Sequence, residues 1–164
     1  MKDRKLGNDK MSKCGCEAIA LYNARVLTED PVPIKDVVSW CEENALWFGG
    51  HWGCYYADIR RYFLVNGYDV DCAGYDDLAA ANRSNDYKIL NVILDSSDVV
   101  IMSFWNKPII YGIHTVTIQK NEDGRILVYN YNNGSTEARD FDNLEEYLSE
   151  NGRLLSYFGA SRRN

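Results

Sequence analysis

An α+β domain is predicted for the 164-residue chain, and three observations predict it. Helical periodicity dominates the first two-fifths. Strand-type runs dominate the second half, with helices between them. Helices therefore come first and antiparallel strands later, without the regular alternation that builds a parallel α/β sheet. The length fits a single domain, residues 1–164, able to enclose one well-buried core.

The first helix is expected from about Ser12 to Leu27, where Ala18, Ile19, Tyr22 and Val26 recur at helical spacing and Ser12 is the N-cap. Asp30-Pro31-Val32-Pro33 breaks the chain, and a second helix follows with Ile34, Val37, Val38 and Cys41 inward. Gly49-Gly50 and Gly53 mark a loop that carries His51 and Trp52. A third helix, about Tyr56 to Asn66, turns Ile59, Tyr62 and Phe63 inward and ends at Gly67. Tyr68 to Asp71 reads as a short strand, and Tyr87 to Leu94 as a helix with Ile89, Leu90 and Ile93 inward. Strands are then expected over Val99–Trp105, Ile109–Ile118 and Arg125–Tyr131, the last two joined by the turn Asn121-Glu122-Asp123-Gly124. Asp142 and Glu145 have capping-box spacing for a short helix closed by Gly152, and Leu154 to Phe158 is a final strand.

Charge and cysteine usage narrow the function classes. The net charge is −6 and no internal run of Lys or Arg occurs, which argues against nucleic acid as a partner, since phosphate binding needs a concentrated basic face. No stretch approaches the ~20 apolar residues of a membrane span. The first thirteen residues are polar and charged, unlike a secretory signal, so a cytoplasmic location is expected. Five Cys at irregular spacing do not suit a disulfide scaffold. No cofactor is expected, and the oligomeric state is not readable.

The chain has only two His, 51 and 114, so few residues can serve as a base. Strand alternation puts His114, Val116 and Ile118 on one face. Pairing through the turn brings Asn130 beside His114, where its amide oxygen can accept from the ring and orient it. Cys14 is the candidate nucleophile, at the expected start of the first helix, where helix N–H groups favour a thiolate and an oxyanion. Gly15 lets a substrate approach, and Asn8 is the candidate side-chain donor to the oxyanion.

Asn8 followed by Cys14-Gly15-Cys16-Glu17-Ala18-Ile19-Ala20 resembles the nucleophile segment of papain-like cysteine peptidases, closest to the bacteriocin-processing branch that removes leader peptides. Tyr56 to Val70, Gly112-Ile113-His114 and Asn130 resemble that family's later segments, in the same order. The resemblance implies a papain-like fold, with an N-terminal helical half packed on a C-terminal antiparallel sheet. It also implies a Cys14–His114–Asn130 triad, an oxyanion donor at Asn8 and a peptide or amide substrate. Position 8 is Asn where the family usually has Gln, and Asn132 and Asn133 compete with Asn130 as third member.

Alternatives stay open at this level. Cys16 competes as nucleophile, but Lys10 would then hold the upstream amide position, the wrong chemistry for an amide donor. Cys14 can be a core thiol, His114 a satisfied core imidazole and Asn130 a strand-end turn residue. Cys14, Cys16, His51 and Cys54 could form a zinc set, although Cys-x-Cys is closer than structural zinc pairs. Asp76-Asp77 and Glu145-Glu146 read as solvated helix starts. An acyltransferase shares the same acyl-enzyme chemistry, and a non-catalytic binding domain shares the same fold.

Overall fold

The computed structural model describes residues 4–50, 53–105, 112–131 and 137–163. A two-residue hairpin, β1 (Lys5–Leu6) with β2 (Asp9–Lys10), opens the chain. Four helices follow: α1 (Met11–Cys14), α2 (Cys16–Leu27), α3 (Ile34–Asn44) and α4 (Tyr56–Val65). Then come β3 (Tyr68–Cys72), α5 (Tyr75–Ser84), α6 (Lys88–Ser96), β4 (Val99–Trp105), β5 (Ile113–Lys120), β6 (Ile126–Tyr129), β7 (Arg139–Phe141), α7 (Leu144–Ser149) and β8 (Leu154–Arg162). Six strands form one antiparallel sheet in the order β3-β8-β4-β5-β6-β7. The α+β class is as the sequence predicts.

The sheet is covered on both faces. Alternation along β4 shows why. Val99 and Ile101 join a core with Ala18, Leu21 and Ala24 of α2, Val37 and Cys41 of α3, and Ile59 and Phe63 of α4. Val100, Met102 and Phe104 join a second core with Leu90 and Ile93 of α6, Val116 and Ile118 of β5, and Leu144 and Tyr147 of α7. All seven residues of β4 are buried or nearly so, as befits a strand buried on both sides.

Several elements differ from expectation. The first helix is broken at Gly15 into α1 and α2, and Met11 packs so closely there that a Cβ at Gly15 would stand 2.7 Å from Met11 O and 2.9 Å from Met11 Sδ. The inward face of α2 is Ala18, Leu21 and Ala24; Val26 is 44% exposed. Ile89 likewise faces solvent, with Leu90, Ile93 and Leu94 inward. The cap of α7 lies one residue later than the spacing suggests: Asn143 Oδ1 accepts from Glu146 N at 2.8 Å, and Glu146 Oε2 accepts from Asp142 N at 2.7 Å. Asp76-Asp77 opens α5 as the sequence suggests, but the rest of α5 carries no helical periodicity, since only Ala81 of its ten residues is fully buried. The Asn121–Gly124 turn forms as expected, with Gly124 at φ 82°.

Candidate active site

The N-terminus of α2 abuts the beginning of β5. Helix α2 packs across β5 and β4, and Thr117 Oγ1 donates to Ala20 O at 2.8 Å, so Thr115 and Thr117 face the helix. At the end of this contact Cys16, the first residue of α2, sets its Sγ 3.8 Å from Ile113 O. Asn130 closes the corner from the end of β6. Its Nδ2 donates to Thr115 O at 2.9 Å and to Cys16 O at 3.2 Å. Helix start, strand start and strand end are thus joined through one amide.

Cys14 is placed differently from the expectation. It ends α1 instead of opening the long helix, is 5% exposed, and belongs to the first core. Its Sγ donates to Lys10 O at 3.3 Å and to Leu6 O at 3.8 Å. Burial, followed by the Asp9 and Glu17 carboxylates, pushes its pKa up to about 11, against the opposing pull of Lys13. The helix N-terminus that favours a thiolate belongs to Cys16, not Cys14. Asn8 lies exposed in the turn between β1 and β2, with its backbone N–H bonded to Gly49 O at 3.0 Å.

His114 is the second residue of β5 and lies opposite Phe104. It shares its face with Val116 and Ile118, as the alternation predicts, and that face is the second core, away from α2. Its ring meets Phe104 edge-on at 5.7 Å. Nε2 is 2.7 Å from Asn130 O; a carbonyl can only accept, so Nε2 carries the proton. Burial lowers the His114 pKa, while backbone bonds to Asn130 and Tyr131 pull the other way. Asn130 therefore does hold the ring, but through its main-chain carbonyl; its amide serves Cys16 and Thr115 instead. The left-handed backbone of Asn130, at φ 62°, turns the carbonyl and the side chain to different faces. The structure brings His114 and Asn130 together and leaves Cys14 on the opposite side of the sheet. His51, Asn132 and Asn133 lie outside the described residues.

Asn130 is a joint whose loss can be measured. Asn130→Ala is expected to cost about 2–3 kcal/mol, from two lost amide bonds and from replacing asparagine, which tolerates left-handed backbone, by alanine, which does not. Asn130→Gly, free of the backbone strain, should cost less. Urea unfolding of both variants checks this, and equal costs would contradict the strain component.

Glu17 is the residue the sequence reading missed. It is only 2% exposed, its Oε2 accepts from Cys16 Sγ at 3.2 Å, and it also accepts the backbone N–H of Cys54. Among the described residues no cation pairs with it. Burial raises its pKa from the ordinary 4.5 to about 7, and its hydrogen bonds only partly oppose this. Burial and the Glu17 carboxylate together hold the Cys16 thiol well above its ordinary value. An acidic residue in the first turn of a helix reads as a solvated dipole partner, so nothing in the spacing marked it.

Among the described residues no group of three or more His, Cys, Asp or Glu is placed to hold a metal ion. None of their helices is long and apolar enough to cross a membrane. Comparison with protein-family models, with curated proteins and with solved structures returns no match.

Proposed function

We propose that the chain is a papain-like cysteine hydrolase that cleaves a peptide or amide bond, with Cys16 in place of Cys14 as its nucleophile. One observation carries the reading: the thiol at the start of α2, the entry to the His114 strand and the Asn130 amide meet at one corner. The helix N-terminus supplies free N–H groups for an oxyanion next to that thiol. In the reaction the Cys16 sulfur bonds to the carbonyl carbon and its proton passes to Nδ1 of His114, which is unprotonated when Nε2 carries the ring's single proton. The amine leaves with that proton, and water then releases the acyl group. An amine or thiol acceptor in place of water makes the same chain an acyltransferase. The His114 ring lies on the face of β5 away from α2, so the transfer requires the start of β5, Ile113 and His114, to leave its pairing with β4 and turn the ring toward Cys16. Hydrogen bonds of such sites are often long or poorly aligned in the free enzyme.

A second reading is favoured by a specific observation. The His114 ring faces the Phe104 side of the sheet, fully buried, as a structural imidazole would. On that reading the domain binds a partner and catalyses nothing.

Hydrolysis of a peptide library by wild type, Cys14→Ala, Cys16→Ala and His114→Ala separates the two. The enzyme reading expects Cys14→Ala to retain activity. It expects Cys16→Ala and His114→Ala to lose at least about 100-fold, the usual scale for a nucleophile or base. Turnover surviving in Cys16→Ala would remove the nucleophile assignment, and no turnover in the folded wild type supports the binding domain.

A further inference from the structure

The loop that faces Glu17 is closed on itself. Leu46 and Cys54 form an isolated antiparallel bridge, Trp47 N–H donates to Gly53 O at 3.0 Å, and Tyr55 N–H donates to Ala45 O at 2.8 Å. Gly53 lies directly over the carboxylate, with a backbone φ of 73°. A Cβ there would stand 2.6 Å from Glu17 Oε2 and 2.8 Å from Cys14 O. Glu17 thus touches three things at once: the Cys16 sulfur, the Cys54 N–H and the underside of Gly53.

We propose that Glu17 is a positioning residue for the Cys16 thiol, a clasp whose one carboxylate keeps the thiol proton in place and ties Gly53 and Cys54 to the N-terminus of α2. The proposal rests on the reading of Cys16 as the reactive thiol, but its geometry stands without any turnover. An ionised Glu17 beside the sulfur disfavours a second negative charge, so the clasped thiol rests protonated. Release of the clasp frees the sulfur and the loop together.

Among the described residues, the other titratable groups at this junction are thiols. Cys14 of α1 feels Glu17 and, more strongly, Asp9, with Lys13 opposing. Cys54 of the loop is hydrogen-bonded to Cys41 of α3 and feels both Glu17 and Cys16. From β5 the facing side chains, Thr115 and Thr117, carry no charge. Glu17 is therefore the one described group here that changes charge near neutral pH.

Two readouts test the clasp, in a Cys72→Ser background because Cys72 is the exposed thiol. The first is the pH profile of Cys16 alkylation by iodoacetamide, resolved by peptide mapping. Glu17→Gln should move the profile to lower pH and raise the rate at pH ~7 by about 10-fold or more, a unit of pKa being a factor of ten. The second is amide exchange at Cys54, which should accelerate by a similar factor in Glu17→Gln. Glu17→Asp, one methylene shorter, should restore the thiol profile only in part. An unchanged alkylation profile in folded Glu17→Gln would overturn the proposal, as would unchanged Cys54 exchange. Should Glu17→Gln fail to fold, wild type still decides: Cys54 protection must change as Glu17 titrates near pH ~7, and a flat profile refutes the clasp. A shifted profile in a protein with no hydrolytic activity would keep the clasp and discard the enzyme reading.

Discussion

Gly152→Ala is expected to destabilise the fold by about 3 kcal/mol or more, the upper range for overpacking against a rigid neighbour. A Cβ at this position would lie 1.5 Å from Trp105 O and 2.7 Å from Trp105 C, both backbone atoms that cannot rotate away. The strand end must therefore move. Trp105 N–H is bonded to Arg153 O at 2.9 Å, and Trp105 pairs with Ile113, whose carbonyl faces the Cys16 sulfur. The disturbance should reach the thiol corner as well as the global stability. Urea unfolding and Cys16 alkylation, measured on the same variant, check both effects. A cost below about 1 kcal/mol, the ordinary range for a surface change, would contradict the close approach of Gly152 and β4.

The second large effect is the pH dependence of stability caused by Glu17. Its pKa is raised in the folded state, from 4.5 to about 7, so the folded protein holds this proton more tightly than the unfolded chain. The resulting stabilisation is fully present below about pH 4.5 and is lost as pH rises through about 7. A shift of this size corresponds to about 3 kcal/mol across that window, since each unit contributes about 1.4 kcal/mol. Glutamine does not titrate. The stability difference between Glu17→Gln and wild type should therefore move by about 3 kcal/mol in favour of the variant between pH ~4.5 and ~8. Parallel stability curves for the two proteins would contradict the raised folded-state pKa of Glu17.

Much of the fold was legible because periodicity and turn chemistry are local. Val37, Val38 and Cys41 of α3, and Ile59, Tyr62 and Phe63 of α4, are buried as their spacing indicates. Seven consecutive residues from Val99 read correctly as a buried strand. Tertiary packing decided what was missed. α5 rests mainly on β8 with one fully buried side chain, too little for a periodic signature. The break at Gly15 comes with Met11 packed closely against it, an approach that spacing does not encode. That break moved the helix N-terminus by two residues, from Cys14 to Cys16.

The site was legible in part for the same reason. Alternation gave the face of His114 correctly and brought Asn130 to it. It could not reveal that α2 covers the other face, because that depends on how the helix crosses β5. Nor could it foresee that the left-handed backbone of Asn130 presents its carbonyl to the ring and its amide to Cys16. Glu17 was hidden because burial of a carboxylate is set by tertiary contacts, here Gly53 and Cys54 lying against it.

The central claim is that Cys16, served by His114, is the reacting thiol, and the most direct measurement is the site of covalent capture. Cys72→Ser protein is treated with a peptidyl vinyl sulfone at neutral pH, and the modified residue is located by peptide mapping. A single adduct on Cys16 is expected, with Cys14, Cys41 and Cys54 untouched, and loss of that adduct in the folded His114→Ala variant. An adduct on Cys14, or capture at Cys16 that is indifferent to His114, would contradict the claim.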